Sequence, residues 1–280
     1  MRPIRTFAIL PTMFTLGNLV CGFFAIVIAS RVGTPTKSPE GLMQTLATDP
    51  TNCMYSAWLI FLAMVFDALD GYIARLSKSA SEFGAELDSL CDMVSFGIAP
   101  AFLLVKMCPQ FSFFHKEAAW VIAASYAACA SLRLARFNVE TNDEDDHMNF
   151  RGLPTPAAAA SVAGFAIMFD TLSALGKDDN PAMYFASQIF VGLQRVLPFF
   201  ALMAAGLMVS RVPYPHVVNQ VFRGQRTLRH LVGIIFSIVA IMVFRDYAVS
   251  MVCVCFVLYS PLRFAWEKLV QRRHQEESVF

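Results

Sequence analysis

The stretch that decides how this chain folds begins with Asp67-Ala-Leu-Asp70-Gly71-Tyr-Ile-Ala74-Arg75. After eight further residues it continues with Gly84-Ala-Glu-Leu-Asp88-Ser-Leu-Cys-Asp92. Long apolar segments flank both halves of it. The four aspartates therefore belong to segments that are hydrophobic enough to enter a membrane. Ionisable side chains at membrane depth are costly, and by default they mark a functional site.

The spacing of these residues predicts two helices that face each other. Positions 67, 70, 71, 74 and 75 share one helical face, and positions 84, 88 and 92 share one face of the next helix. The polar run from Ser77 to Glu82 predicts a short turn between two antiparallel helices. In such a hairpin Asp67 lies opposite Asp92, so we expect the four carboxylates to converge.

Convergent carboxylates predict a metal site. They cannot all be ionised in a medium of low dielectric constant unless a cation compensates them. Oxygen ligands favour Mg2+, Mn2+ or Ca2+ over zinc, and pairs of such ions assist displacement at phosphorus. We expect two ions. The alternative is polar contact between membrane helices with small residues at the interface, and four aspartates at these offsets favour the metal site.

The residues around the aspartates suit a phosphorylated ligand. Gly71, Ala74 and Gly84 are small and leave room for a ligand near the backbone. Arg75 provides a fixed positive charge of the kind that a pyrophosphate needs. These four residues are therefore candidates for binding the phosphorylated substrate.

The pattern D-x2-D-G-x2-A-R-x8-G-x3-D-x3-D is matched at every position and resembles the signature of the CDP-alcohol phosphatidyltransferases. The resemblance implies a membrane enzyme in which an alcohol displaces CMP from a CDP-linked lipid. It implies that Asp67, Asp70 and Asp88 bind metal, Mg2+ or Mn2+. Asp92 would be the general base and a further metal ligand.

A second resemblance to this family lies near the N-terminus. A family segment whose polar side chains face the nucleotide is similar to Pro11-Thr12-Met-Phe-Thr15-Leu-Gly17-Asn18 of this chain. Here Thr12 stands where Asn is usual. Thr15 and Asn18 are therefore candidates for binding the CDP-lipid. Hydrogen bonding between helices is the alternative role for both.

Composition indicates an all-α, polytopic membrane helix bundle. Hydrophobic residues make up 56% of the 280 residues, and charged residues make up 15%. We expect a single domain over residues 1–280, a cytosolic tail at 267–280, and no nucleic-acid partner. The apolar stretches predict about eight spans, or seven because the seventh is short, at about 7–30, 54–74, 84–105, 117–137, 154–174, 190–210, 230–245 and 247–266.

The distribution of positive charge predicts the orientation. Most of the 22 Lys and Arg residues fall at span ends on the same side as the N-terminus. By the positive-inside rule that side is cytosolic. We therefore expect an integral protein of the cytoplasmic membrane, with the turn between the aspartate helices and the active site facing the cytosol.

The stretch Ser131-Leu-Arg133-Leu-Ala-Arg136-Phe-Asn138 bears on the acceptor alcohol. Two arginines on one helical face suit a carboxylate or the phosphates of the donor, whereas snorkelling of the arginines to the interface is the alternative. With F-x-G-L-P-x-P-A-A-A at 150–159 and S-R-V-P-Y-P at 210–215, it resembles the phosphatidylserine synthases within the family. That implies CDP-diacylglycerol and L-serine as substrates, a homodimer, and serine binding by Arg133, Arg136 and Asn138.

Two other functions fit part of the pattern. The aspartate motif alone does not distinguish serine from another acceptor, such as glycerol phosphate or inositol phosphate. A cation transporter would also place aspartates within the membrane. Transporters often carry internal repeats, however, and the chain holds no second copy of the aspartate pattern.

Overall fold

The computed structural model describes residues 9–32, 50–77, 82–108, 117–140, 152–175, 181–214 and 245–277. Nearly all of these residues are helical. Asp92 is followed by a short π-helix, Met93–Ile98, in which the helical turn is wider than in an α-helix. The α-helices are α1 Ile9–Ser30, α2 Pro50–Ser77, α3 Glu82–Asp92, α4 Ala99–Met107, α5 Ala118–Glu140, α6 Thr155–Leu175, α7 Pro181–Val209 and α8 Arg245–Glu277.

Seven segments of the described chain are long and apolar enough to cross a membrane. Helix α3, the π-helix and α4 form one of them, Phe83–Met107, and the others lie within α1, α2, α5, α6, α7 and α8. Helices suit this setting because they satisfy their own backbone hydrogen bonds in lipid. The prediction of an all-α polytopic bundle is confirmed, while residues 230–244 of the predicted span at 230–245 lie outside the described residues.

Small side chains let the helices approach closely. Helices α1 and α2 pack along their length, with Ala25 and Ala57 completely buried. Helix α6 contacts α2, α4, α7 and α8, and its buried face includes Ala159 and Ala163. Membrane helices associate through such small residues because van der Waals packing, rather than water exclusion, holds them together.

The π-helix lies against α1. A Cβ atom added to Gly22 of α1 would lie only 2.7 Å from the Cα atom of Ser95. The backbone of α1 at Gly22 therefore lies directly against Ser95, whose Cα atom and side chain occupy the space that a larger residue would need. This contact fixes the π-helix, and with it the end of α3, relative to α1.

The segment before α6 is joined to the end of α7. The Gly152 N–H donates to the Val212 carbonyl at 2.9 Å, and the Leu153 N–H donates to the Leu207 carbonyl at 3.0 Å. Gly152 has a φ of 98°, a conformation that L-residues with a side chain rarely adopt. The G-L-P segment at 152–154 and the S-R-V-P-Y segment at 210–214 are thus neighbours in the structure.

Tyr214 joins the same region to α8. Its hydroxyl donates to the Val257 carbonyl at 3.0 Å. Burial raises the pKa of Tyr214 to about 12, so the phenol remains a neutral donor at physiological pH. The end of α7 and the residues just after it therefore hold both the start of α6 and the middle of α8.

Candidate active site

Three carboxylates meet where α2 faces α3. Asp67 and Asp70 lie on α2 and Asp88 lies on α3, and one oxygen from each lies within 4.8 Å of the others. Asp70 is buried, and Asp67 and Asp88 are half-buried. The convergence that the helical spacing predicts is therefore present for these three residues, which we call the acidic cluster.

The acidic cluster has the donor set of a hard divalent cation. Asp70 Oδ2 and Asp88 Oδ1 are buried, and neither has a hydrogen-bond partner within the described part of the chain. Aspartates that served only as polar contacts between helices would meet donors. Buried carboxylate oxygens without donors instead suit a cation that takes oxygen ligands. The cluster therefore fits a divalent metal ion.

Asp92 lies beside the acidic cluster and has a different partner. It is the last residue of α3, and its side chain is buried. Its Oδ1 accepts a hydrogen bond of 2.9 Å from Nδ2 of Asn18, which is completely buried on α1. The charges of Asp67 and Asp88 also act on it. Asp92 is thus held by an amide donor at the edge of the cluster.

Ser95 reinforces this contact from the π-helix. Its hydroxyl donates to the backbone carbonyl of Asn18 at 3.0 Å. Asn18 therefore bonds to residues on both sides of the junction between α3 and the π-helix. This arrangement fixes the direction of the Asp92 carboxylate relative to α1.

Thr15 lies one turn before Asn18 on the same face of α1. Its hydroxyl donates to the Pro11 carbonyl at 3.1 Å and lies beside the Asp70 side chain. The structure thus brings both α1 candidates to the aspartates. Hydrogen bonding between helices, the alternative role, is observed for Asn18, while nucleotide binding by Thr15 and Asn18 stays a prediction.

The small residues line the facing helices. Gly71 and Ala74 on α2 and Gly84 on α3 are half-buried. Arg75 belongs to α2, but its side chain lies outside the described part of the structure. The roles of these four residues in CDP-lipid binding stay predictions.

Arg133 on α5 reaches the site. Its Nη1 donates to Oγ1 of Thr155 at 2.8 Å, and the negative charge of Asp92 acts on the guanidinium. Arg133 Nε is buried and has no hydrogen-bond acceptor among the residues that the structure describes. An arginine held by a buried threonine is not snorkelling to the interface. Arg133 is therefore a held cation with a buried N–H donor that can meet an anionic group.

The other two acceptor candidates lie further along α5. Asn138 Nδ2 donates to Oγ of Ser89 on α3 at 3.0 Å. This bond ties the end of α5 to the helix that carries Asp88 and Asp92. Arg136 is half-buried on the same face as Arg133. Serine binding by Arg136 and Asn138 stays a prediction.

Sequence reasoning missed Thr155 and Ser95. Thr155 is the first residue of α6 and follows Pro154 directly, which is a signal for a helix start. Ser95 comes three residues after Asp92, a spacing that places two residues on one helical face. Neither signal names the partner, because the contacts join residues that are 22 and 77 positions apart.

Comparison with known proteins identifies the family. CDP-diacylglycerol–serine O-phosphatidyltransferase of Methanocaldococcus jannaschii is 32% identical over 206 residues, which cover 74% of this chain and 82% of that protein. The enzyme of the same name from Saccharomyces cerevisiae is 30% identical over 207 residues, 72% of this chain and 68% of that protein.

An archaeal relative with a different name is also similar. Archaetidylserine synthase of Methanothermobacter thermautotrophicus is 28% identical over 220 residues, which cover 77% of this chain and 73% of that protein. Residues 8–212 match the family model described as CDP-alcohol phosphatidyltransferase. This matched range includes the acidic cluster, Asp92 and Arg133, and the chain belongs to the CDP-alcohol phosphatidyltransferase family.

Proposed function

We propose that this protein transfers the phosphatidyl group of CDP-diacylglycerol to L-serine and releases CMP. The observation that carries the proposal is the acidic cluster, whose buried carboxylate oxygens on Asp70 and Asp88 lack donors in the described structure. Arg133, held by Thr155, supplies a cation for the acceptor. The names of the similar proteins from archaea and yeast support serine as the acceptor. The reaction forms a bond between the serine hydroxyl oxygen and phosphorus, and it breaks the phosphorus–oxygen bond to CMP.

Asp67, Asp70 and Asp88 would hold the divalent metal, which we propose to be Mg2+ or Mn2+ with two ions bound. When bound, the metal neutralises the pyrophosphate and stabilises the charge that develops on the leaving CMP. Gly71, Ala74 and Gly84 leave space on the facing helices for the phosphates to approach the backbone. Arg75, Thr15 and Asn18 are the further residues that we assign to the CDP-lipid.

Asp92 takes the proton of the serine hydroxyl. The hydrogen bond from Asn18 engages one carboxylate oxygen and directs the other toward the attacking hydroxyl. Because Asn18 is completely buried and anchored through Ser95, the base keeps one orientation between turnovers. A positioned base contributes typically about 100-fold to 10,000-fold to the rate.

Arg133 binds the serine carboxylate in this proposal. Its Nε is a buried donor that lacks an acceptor in the described structure, and a guanidinium matches a carboxylate with two parallel hydrogen bonds. Arg136 and Asn138 would complete the serine site. Holding the carboxylate orients the serine so that its hydroxyl lies near Asp92.

The proposal extends to the whole chain. We place the protein in the cytoplasmic membrane as a homodimer, with the site open to the cytosol and residues 1–280 forming one domain with a tail at 267–280. The excess of Lys and Arg at one side of the spans supports the orientation. Resemblance to the family supports the dimer.

The direct test uses purified protein with CDP-diacylglycerol, Mg2+ or Mn2+, and a panel of labelled acceptors. We expect CMP release and labelled lipid with L-serine, and neither with glycerol 3-phosphate or inositol phosphate. The matched control is the Asp92→Asn variant, which should release no CMP with any acceptor. Preferred use of a phosphorylated acceptor would contradict the serine assignment while leaving the family chemistry intact.

A further inference from the structure

We propose that Thr155 is a positioning residue that sets the preference for a carboxylate-bearing acceptor by fixing the Arg133 guanidinium. The inference rests on the proposed function, in which Arg133 binds the carboxylate of the acceptor. It goes further, because it assigns a role to a residue that does not itself touch the substrate. It also gives the G-L-P and S-R-V-P-Y segments a part in acceptor choice.

The contact between the two side chains is short and buried. Arg133 Nη1 donates to Thr155 Oγ1 at 2.8 Å, and Thr155 is completely buried. A guanidinium carries five N–H donors in a rigid plane, so one fixed bond restricts the direction of the others. The buried Nε, which has no acceptor in the described structure, is then directed before the substrate arrives. Such preorganisation raises affinity because less side-chain freedom is lost on binding.

The backbone holds Thr155 in place. It is the first residue of α6. Before it, the Gly152 N–H donates to Val212, just after α7, and the Leu153 N–H donates to Leu207 near the end of α7. The next turn of α6 contributes the buried residues Ala158 and Ala159 to the core. The hydroxyl of Thr155 is therefore positioned by packed helices rather than by a free loop.

The proposed roles select a class of acceptor. In the proposed function Asp92 marks the place of the attacking hydroxyl, and Arg133 marks the place of the carboxylate. An acceptor that meets both residues carries a hydroxyl and a carboxylate, as a small hydroxy amino acid does. A guanidinium in a fixed plane favours the flat carboxylate, which it binds bidentately.

The central variant is Thr155→Val, which keeps the branched shape and removes the hydroxyl. A hydrogen bond to a charged group is worth enough that its loss should raise the KM for L-serine about tenfold or more. The kcat and the KM for CDP-diacylglycerol should stay close to wild type. Thr155→Ser restores the hydroxyl and should restore the serine KM.

Ser161→Ala is the matched control. Ser161 is another completely buried hydroxyl on α6, and it bonds to the Ala158 carbonyl, away from Arg133. This variant should leave both Michaelis constants unchanged. A rise in the serine KM equal to that of Thr155→Val would show a general effect of removing a hydroxyl from α6 and would overturn the inference.

A dead-end inhibitor separates carboxylate binding from chemistry. O-methyl-L-serine keeps the carboxylate and lacks the hydroxyl proton that Asp92 removes. Its inhibition constant against serine should rise in Thr155→Val in parallel with the serine KM. A loss of kcat with an unchanged inhibition constant would overturn the positioning role.

A double-mutant cycle tests whether Thr155 acts through Arg133. If it does, Thr155→Val should add little to the effect of Arg133→Lys, because both variants disturb the same contact. Fully additive effects would overturn the inference and leave the proposed function standing, provided that Arg133→Lys raises the serine KM. Absence of serine-dependent CMP release by the wild-type protein would overturn the proposed function, and this inference with it.

Discussion

At the scale of single residues, the Asp92 carboxylate connects the structure to the proposed proton transfer. It is buried, it lies beside the acidic cluster, and Asn18 engages only one of its oxygens. A general base needs a fixed direction and one oxygen available to the substrate. Asn18 supplies the fixed direction through its hydrogen bond. Its amide cannot itself act as the base that accepts the hydroxyl proton.

Replacing Asp92 by Asn should abolish turnover while the protein still binds CDP-diacylglycerol. The amide has nearly the same shape and can still accept the Asn18 hydrogen bond, but it cannot take up a proton. The expected loss in kcat is about 100-fold to 10,000-fold, measured as CMP release. Glu86→Gln, at an exposed carboxylate on the same helix, should behave as wild type. Near-normal turnover of Asp92→Asn would remove this residue from the role of base.

Gly152→Ala should destabilise the protein. Gly152 has a φ of 98°, and a Cβ atom added there would lie 2.5 Å from the Met208 carbonyl oxygen. We expect a loss of at least about 1 kcal/mol, seen as a lower melting temperature in detergent. Gly206→Ala is the control, because nothing lies within 4 Å of the corresponding position on α7. A wild-type melting temperature for Gly152→Ala would mean that this segment is not held as described.

At the scale of helices, the π-helix decides the direction in which α3 presents its carboxylates. The segment Met93–Ile98 joins α3 to α4 within one membrane span. A π-turn holds one residue more than an α-turn, and such turns often occur at functional sites. It changes the rotation of α3 about its axis relative to α4, and Asp88 and Asp92 move with it.

Deleting Val94 should therefore remove activity without preventing insertion. A regular α-helix would replace the π-turn. The faces of α3 and α4 would keep nearly the same relation, but Ser95 would follow Asp92 by two residues instead of three and would leave the face from which it bonds to Asn18. We expect loss of CMP release with unchanged helix content by circular dichroism. Val94→Ala keeps the residue count and should retain activity. Retained activity after the deletion would show that the wide turn is not needed to orient the aspartates.

The periodicity of the sequence predicted some of these elements and not others. The sequence predicted that Asp67, Asp70 and Asp88 lie close together, because helical spacing and a short polar turn define a hairpin. The π-helix could not be predicted, because Met93–Ile98 is apolar around most of its circumference and no spacing marks the extra residue. The contacts Asn18 to Asp92 and Arg133 to Thr155 depend on how separate helices pack, which local pattern does not encode.

At the scale of the whole molecule, the membrane bundle packs helices from several of its seven described spans around a group of like charges. The acidic cluster draws residues from two helices, α1 and the π-helix hold the adjacent base, and α5 and α6 supply Arg133 and Thr155. Like charges at close range oppose assembly unless a cation compensates them. We therefore expect the stability of the bundle to depend on divalent metal.

Chelation should stop turnover and lower the melting temperature, and Mg2+ or Mn2+ should restore both. A ligand that binds only the folded state stabilises it in proportion to the logarithm of its concentration above Kd. The double variant Asp67→Asn/Asp88→Asn should lose the metal-dependent shift in melting temperature. Undiminished turnover in EDTA would contradict the metal-dependent mechanism.

The hydrogen bond between Asn18 and Asp92 also bears on biosynthesis. The span Phe83–Met107 brings Asp88 and Asp92 into the membrane, and an aspartate at the centre of an inserting helix costs about 2.5 to 3.5 kcal/mol. Helix α1 is synthesised first, so the Asn18 amide is already present when Asp92 leaves the ribosome. Asn18→Leu should therefore lower the fraction of chains that insert this span, measured with a glycosylation reporter during translation into membrane vesicles. Equal insertion would show that the aspartates enter the bilayer without help from α1. Reduced insertion would mean that α1 must be synthesised before this span for the enzyme to assemble.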